Sequence, residues 1–393
     1  MNARTMLGPA DVSDKDLAGF VAAALGVEHV HVISCEAQVV DYDLEALTTA
    51  GRYWVRGRAR HYGGEEPYAF FVKVVQTWAR TPQFQMVPEH LRERAGQGLP
   101  WRGEIEVYRS DLGSLLPDGL SLPHVHRVTD IDDGSAFFWL EAVDADPAPW
   151  DRPTFERAAY RLGRLAARPE VAPVASRGMQ DVVRSYAHGR VEGQILPALH
   201  ADELWAHPLV AETFSPALRA RLLSAAAALP AYLAELDAAP LGSAHGDACP
   251  RNLLVSRSRP DDFVLIDFAF WCRAPLGFDL TQLLMGEVQL GERPPSHLSD
   301  LDEPCLAAYV RGLAAEGCDV SIDVVRRVHA LLMLLFAGLT AVPIELLFGG
   351  APPGTVEVVR GRAAAAEYVL DLVQTSADVK SLPTDEQRVS PRR

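Results

Sequence analysis

The chain has 393 residues, 48% of them hydrophobic and 23% charged, which is long enough for two cores and too apolar for a disordered protein. Its net charge of −15 excludes any function that needs a basic stripe to neutralise nucleic-acid phosphates. The most apolar run, residues 330–342, falls short of the about 20 residues that span a bilayer, so a buried core helix is expected there and no membrane partner. The N-terminus carries acidic residues early and no apolar core, so a secretion signal is not expected. Cys35, Cys249, Cys272, Cys305 and Cys318 are scattered and form no CxxC pair, which disfavours a disulfide framework or zinc site and fits a reducing cytoplasm.

In chain order, residues 13–25 predict a short helix with Ser13 or Asp14 as N-cap and Gly26 just past its end. Strand-like segments at 37–41, 53–60 and 69–75 follow, separated by turn signals, and suggest an antiparallel meander. Lys73 interrupts the third, an otherwise apolar strand, where a lysine is costly unless it meets an anion, so it is a candidate phosphate ligand. Residues 76–103 read as an insertion, with Pro82, Pro88 and Pro100 and a short helix at 89–93. Helical spacing resumes at 104–112, and 137–143 is a further strand that runs into the acidic, proline-rich ADADPAPW, a hinge between lobes. From Thr154 to about Thr375 the pattern is helical apart from one hairpin, and 376–393 reads as a disordered tail.

That hairpin carries the chemistry. Residues 253–255 and 263–266 are apolar runs joined by the turn-rich SRSRPDD. In an antiparallel pair the residue opening the first strand lies beside the one closing the second, so Asn252 and Asp267 are expected as neighbours. One oxygen from each suits Mg²⁺, which takes few protein ligands and completes its shell with water and substrate phosphates. Asp247, on the loop just before, suits a carboxylate that accepts a hydroxyl proton.

The run from His245 to Leu284 resembles the aminoglycoside phosphotransferase and choline-kinase-like group, small-molecule relatives of the protein kinases. HGDACPRN is similar to the group's HGDxxxxN loop, LIDFAF to its ID(F/W) turn, and GFDLTQLL to the helix start that follows. The resemblance implies an α+β, bilobal protein-kinase-like fold. Residues 1–143 would be a nucleotide-binding lobe of antiparallel sheet plus helix, interrupted at about 76–103. Residues 144–375 would be a larger helical lobe carrying the catalytic hairpin and the acceptor site. It further implies Asp247 as catalytic base, Asn252 and Asp267 as Mg²⁺ ligands, and Lys73 on the α- and β-phosphates of ATP or GTP. By position Glu104 is the ion-pair partner of Lys73; Glu106, two residues on, would face the other way.

Hinge backbone from Glu141 to Val143 is expected to meet the adenine. His245 would support the loop from beneath, Gly246 would supply an unusual backbone angle, and Asp279 would cap its helix and brace the loop. The sequence departs from protein kinases in having no GxGxxG loop, the turn at 44–50 with Thr48 and Thr49 standing in, and in carrying DFA for DFG. Acidic residues Glu287, Glu292, Asp300, Asp302, Glu303, Asp202 and Glu203 are candidates for holding a polyamine acceptor. The expected activity is a Mg²⁺-dependent kinase for the hydroxyl of a small molecule, foremost an antibiotic such as an aminoglycoside. A metabolic kinase for a sugar, choline or homoserine and a nucleotide-binding pseudokinase are the alternatives. The expected state is a cytoplasmic monomer or homodimer.

Overall fold

In the computed structural model, which describes residues 4–40, 47–87, 89, 92, 96, 101–348 and 356–377, Ser13 caps helix α1 (Asp14–Leu25) by accepting from Asp16 N at 3.1 Å. Asp14 and Asp16 complement the positive end of the helix, and Gly26 ends it in the left-handed conformation. Leu17 and Val21, one turn apart, bury themselves against a five-stranded antiparallel sheet. Its strands are β1 (His31–Val39), β2 (Thr49–His61), β3 (Gly64–Gln76), β5 (Val125–Asp132) and β6 (Ser135–Glu141), in the order β1-β2-β3-β6-β5. Strand alternation sends Val55, Ala59, Phe70, Val72 and Trp139 toward α1, and the Trp139 indole donates to the Ala10 carbonyl at 2.9 Å.

The chain divides into two compact units. The first comprises Met1–Pro147, Arg177–Met179 and Leu254–Trp271, and it also holds helix α2 (Gly103–Arg109). Strands β4 (Leu120–Ser121), β9 (Phe263–Leu265) and β8 (Leu253–Val255) form a small sheet in the order β4-β9-β8. The expected hairpin is therefore present, extended by a third strand, and most of it groups with the first unit. Of the insertion at 76–103, Trp78–Arg80 and Pro82–Met86 form 3₁₀ turns. Glu89 and Arg92 are helical, and the rest of the short helix expected at 89–93 lies outside the described residues.

The second unit comprises Ala148–Ser176, Gln180–Leu253 and Cys272–Arg393. Its longer helices are α3 (Arg152–Ala167), α4 (Pro216–Ala227), α5 (Leu229–Asp237), α6 (Phe278–Gln289), α7 (Ser296–Ala315), α8 (Ile322–Met333) and α9 (Val356–Ala377). Helices α3 and α7 cross at Gly163 and Gly312, where a Cβ on either would stand 2.1 Å from a carbonyl oxygen of the other helix, Tyr309 O or Tyr160 O. Helix α8 continues as a π-turn and a 3₁₀ turn to Ala341, and this apolar stretch, mean hydropathy 1.6, is mostly buried, as the sequence expectation had it.

Three features correct the sequence reading. β1 starts at His31, six residues earlier than expected, and its expected end at Asp41 lies outside the described residues. A second pair of strands, β7 (Leu241–Ala244) with β10 (Cys272–Pro275), sits where only helix was expected. Helix α9 runs to Ala377, with Ser376 buried, so the expected tail starts two residues too early; 378–393 lie outside the described residues.

Candidate active site

Within the first unit, the pleat of β3 turns Lys73 to the face opposite α1, where it is 4% exposed. Its Nζ donates to Glu104 Oε2 at 2.6 Å and to Asp267 Oδ1 at 2.9 Å. Glu104 owes its position to α2: Tyr108, one turn on, packs on Phe138 with ring centroids 4.8 Å apart, and Phe138 is the β6 neighbour of Lys73. Glu106 points outward and pairs with Arg102 at 3.8 Å, so Glu104 is the partner of the lysine. Asp267 follows β9 in the left-handed region at φ 61°, which aspartate tolerates better than most side chains. The next residue, Phe268, is fully buried between Tyr108 and Trp271 and fixes the turn.

Burial works against a charged Lys73, but the carboxylates of Asp267 and Glu104 outweigh it and hold its pKa above the ordinary lysine value. Burial pushes the Glu104 carboxyl upward, with Lys73 and, more weakly, Arg52 pulling it back.

Within the second unit, β7 and β10 pair with Ala244 opposite Cys272, and the loop after β7 meets the first turn of α6. Asp279, in the first turn of that helix, accepts from His245 N and Gly246 N, each at 2.9 Å. It braces the loop as expected, but it does not cap the helix; Gly277 stands at the cap and supplies no side chain. Burial lifts the Asp279 carboxyl to about 6, against the pull of the two N–H donors.

The fully buried His245 accepts from Asp247 N through Nδ1 at 3.3 Å, which leaves its proton on Nε2, and Gly246 has φ 90°. Asn252 Nδ2 donates to the Asp247 carbonyl at 2.9 Å and to Asp247 Oδ2 at 3.0 Å. Cys249 packs on α6 at Gly286, where a Cβ would stand 2.8 Å from the cysteine Cβ. The structure thus gathers Lys73, Glu104 and Asp267 in one cluster and His245, Asp247, Asn252 and Asp279 in another.

Two expectations change. Glu141 is still a strand residue, paired with Phe70 on one side and donating its N–H to His124 O at 2.9 Å on the other, so its amide is not offered to a base. Its carboxylate accepts from His124 N at 3.0 Å; Val143 lies past the strand end and its carbonyl accepts from Ala145 N. The acidic residues proposed for a polyamine are largely committed. Glu287 bonds Arg293, Glu292 bonds Arg251, Glu303 bonds Arg326, Asp202 bonds Arg219, and buried Asp302 holds His329 and Tyr368. Asp300 and Glu203 are exposed. Of the turn at 44–50, Thr49 opens β2 and the Thr48 carbonyl accepts from Gln76 N, whereas 44–46 lie outside the described residues.

The donor chemistry suits Mg²⁺. Asn252 uses its amide nitrogen on Asp247, so its amide oxygen is the ligand-type atom, and Asp267 carries a carboxylate. Among the described residues no three His, Cys, Asp or Glu side chains cluster into an all-protein metal cage. Amide and carboxylate oxygens are the atom types Mg²⁺ takes when phosphates and water complete its shell.

Residues 112–320 match the model of the phosphotransferase enzyme family. No curated protein matches the chain. Similar solved structures include an aminoglycoside phosphotransferase from Alicyclobacillus acidocaldarius, 16% identical, with TM-score 0.49 over 86% of this chain and 91% of that one. An amicoumacin kinase in complex with AMP-PNP and Ca²⁺ is 14% identical, TM-score 0.47, over 85% and 88%. Macrolide 2′-phosphotransferase from Brachybacterium faecium is 19% identical, TM-score 0.40, over 90% and 96%.

Proposed function

Because the chain belongs to the phosphotransferase enzyme family and is a small-molecule kinase, we propose that it moves the γ-phosphoryl group of ATP or GTP to a hydroxyl of an antibiotic such as an aminoglycoside or a related compound. The observation that carries this reading is the buried Lys73 ammonium held between Glu104 and Asp267. A lysine on an apolar strand, fixed and kept charged by two carboxylates, is a phosphate-orienting group waiting for an anion.

Lys73 orients the α- and β-phosphates, and Glu104 keeps it from folding back onto the sheet. Asp247 receives the acceptor hydroxyl and takes its proton as the oxygen bonds to the γ-phosphorus and the bond to the β-phosphate oxygen breaks. The bonds from Asn252 to Asp247, and from Asp279 to the His245 and Gly246 amides, hold that carboxylate in place, so positioning supplies much of the rate. Asn252, just before β8, and Asp267, just after β9, would hold Mg²⁺, which when bound neutralises phosphate charge. The unit built on the five-stranded sheet would take the nucleotide, with backbone past Glu141 near Val143 meeting the base, and the helical unit would take the acceptor. The five scattered cysteines, with no CxxC pair among them, fit a reducing cytoplasm.

The test is Mg²⁺-dependent ADP or GDP release by the full chain, with a panel of aminoglycoside, macrolide and nucleoside antibiotics beside choline, homoserine and simple sugars. Stimulation by an antibiotic is expected. Stimulation by the metabolites alone would move the acceptor to primary metabolism, and nucleotide binding with no stimulation at all would make the protein a pseudokinase.

A further inference from the structure

The face of the large sheet opposite α1 carries two rows of side chains. In the first row Arg52 on β2 stands directly opposite Lys73 on β3, which stands opposite Phe138 on β6. Directly opposed residues project to the same face, so Arg52 and Lys73 rise from neighbouring positions on it. In the second row Trp54 stands opposite Phe71, with ring centroids 5.3 Å apart, and Phe71 opposite Leu140. Alternate residues on a strand are about 7 Å apart, so a cationic row and an aromatic row run in parallel at that spacing. Trp54 and Arg52 are each partly exposed.

The charges in the first row require more than Lys73. Its ammonium faces two carboxylates, Glu104 and Asp267, so the three groups together carry net negative charge. A polyphosphate approaching them is repelled unless further positive charge is held nearby. Mg²⁺ would bring some of that charge with the nucleotide; Arg52, close enough to act on Glu104 electrostatically, holds more on the protein itself. The sequence has no GxGxxG loop over the phosphates, which gives cationic side chains on this face a larger share in holding them.

We propose that Arg52 is a phosphate ligand of the nucleotide, gripping the polyphosphate together with Lys73 while the base lies toward Trp54 and Phe71. A guanidinium presents two parallel N–H donors to phosphate oxygens and stays charged at any working pH. The inference rests on the kinase reading above.

Calorimetric titration of the full chain with Mg-ATP and, separately, with adenosine tests it in wild type, Arg52→Ala, Arg52→Lys and Lys73→Ala. Arg58→Ala, on the same strand and bonded to the Glu65 carbonyl, serves as the surface-charge control. Arg52→Ala is expected to weaken Mg-ATP about tenfold or more, the loss typical of a bond to a charged group, and to leave adenosine within about twofold. Arg52→Lys should recover part of the loss and Arg58→Ala should match wild type. If Arg52→Ala does not fold, Arg52→Gln, which keeps the length and removes the charge, is read in the same way. Unchanged Mg-ATP affinity in the Arg52 variants alongside a loss in Lys73→Ala would overturn the inference and leave the kinase reading standing. Parallel weakening of Mg-ATP and adenosine would also overturn it, since that marks a structural role. Wild type that binds neither ATP nor GTP would overturn both.

Discussion

Glu104 and Glu106 are two residues apart and chemically alike, yet only one is coupled to Lys73. The choice is set by Tyr108, which lies one turn from Glu104 and packs on Phe138, and that contact rolls Glu106 out to Arg102. Glu104→Gln is therefore expected to weaken Mg-ATP binding about tenfold, as loss of a charged hydrogen bond does, whereas Glu106→Gln stays within about twofold. Equal effects in a nucleotide titration would contradict the assignment.

Asp279 supports a pH prediction. Burial lifts its carboxyl from 3.8 to about 6, so between those values the folded protein holds a proton that the unfolded chain has released. Its contribution to stability accordingly falls as pH rises from about 4 to 6, by up to about 3 kcal/mol, and is flat above. Activity should move the other way, because only the carboxylate accepts from both His245 N and Gly246 N. Urea unfolding of wild type and Asp279→Asn across this window measures it. The stability of wild type relative to the variant should drop with rising pH, and a constant difference would refute the assignment.

At the scale of elements, the tightest fit is the crossing of α3 and α7. Alanine favours a helix over glycine by about 1 kcal/mol, so Gly312→Ala would stabilise a free helix. Here the new Cβ would meet Tyr160 O at 2.1 Å, a backbone atom that cannot swing aside. The substitution is expected to lower stability by about 1–3 kcal/mol, read from the urea midpoint, and a raised midpoint would show that the helices part freely.

The same scale separates what could be read in the sequence from what could not. The helix capped by Ser13 and the hairpin around Asn252 and Asp267 rest on signals within a few residues of one another, and both were legible. The β7–β10 pair joins four-residue strands on either side of the hairpin, too short to show alternation, so the support that sets Asp279 beneath His245 was invisible. β5, an edge strand with only a partial apolar stripe, was missed for a related reason. Arg52 could be recognised only once the register placed it opposite Lys73.

For the whole molecule, a net charge of −15 permits a cationic acceptor, but the candidate acidic residues Glu292, Glu287, Glu303 and Asp202 are paired with Arg251, Arg293, Arg326 and Arg219. Net charge speaks to solubility more than to a binding site. The proposed function is, at its centre, phosphoryl transfer directed by the Asp247 carboxylate. The most direct measurement is acceptor-stimulated, Mg²⁺-dependent ADP release by wild type and Asp247→Ala, with Mg-ATP affinity measured on the same samples. Stimulated release should fall about a hundredfold or more, the scale of a lost general base, with affinity for Mg-ATP within about threefold of wild type. Release by Asp247→Ala at the wild-type rate would contradict the account.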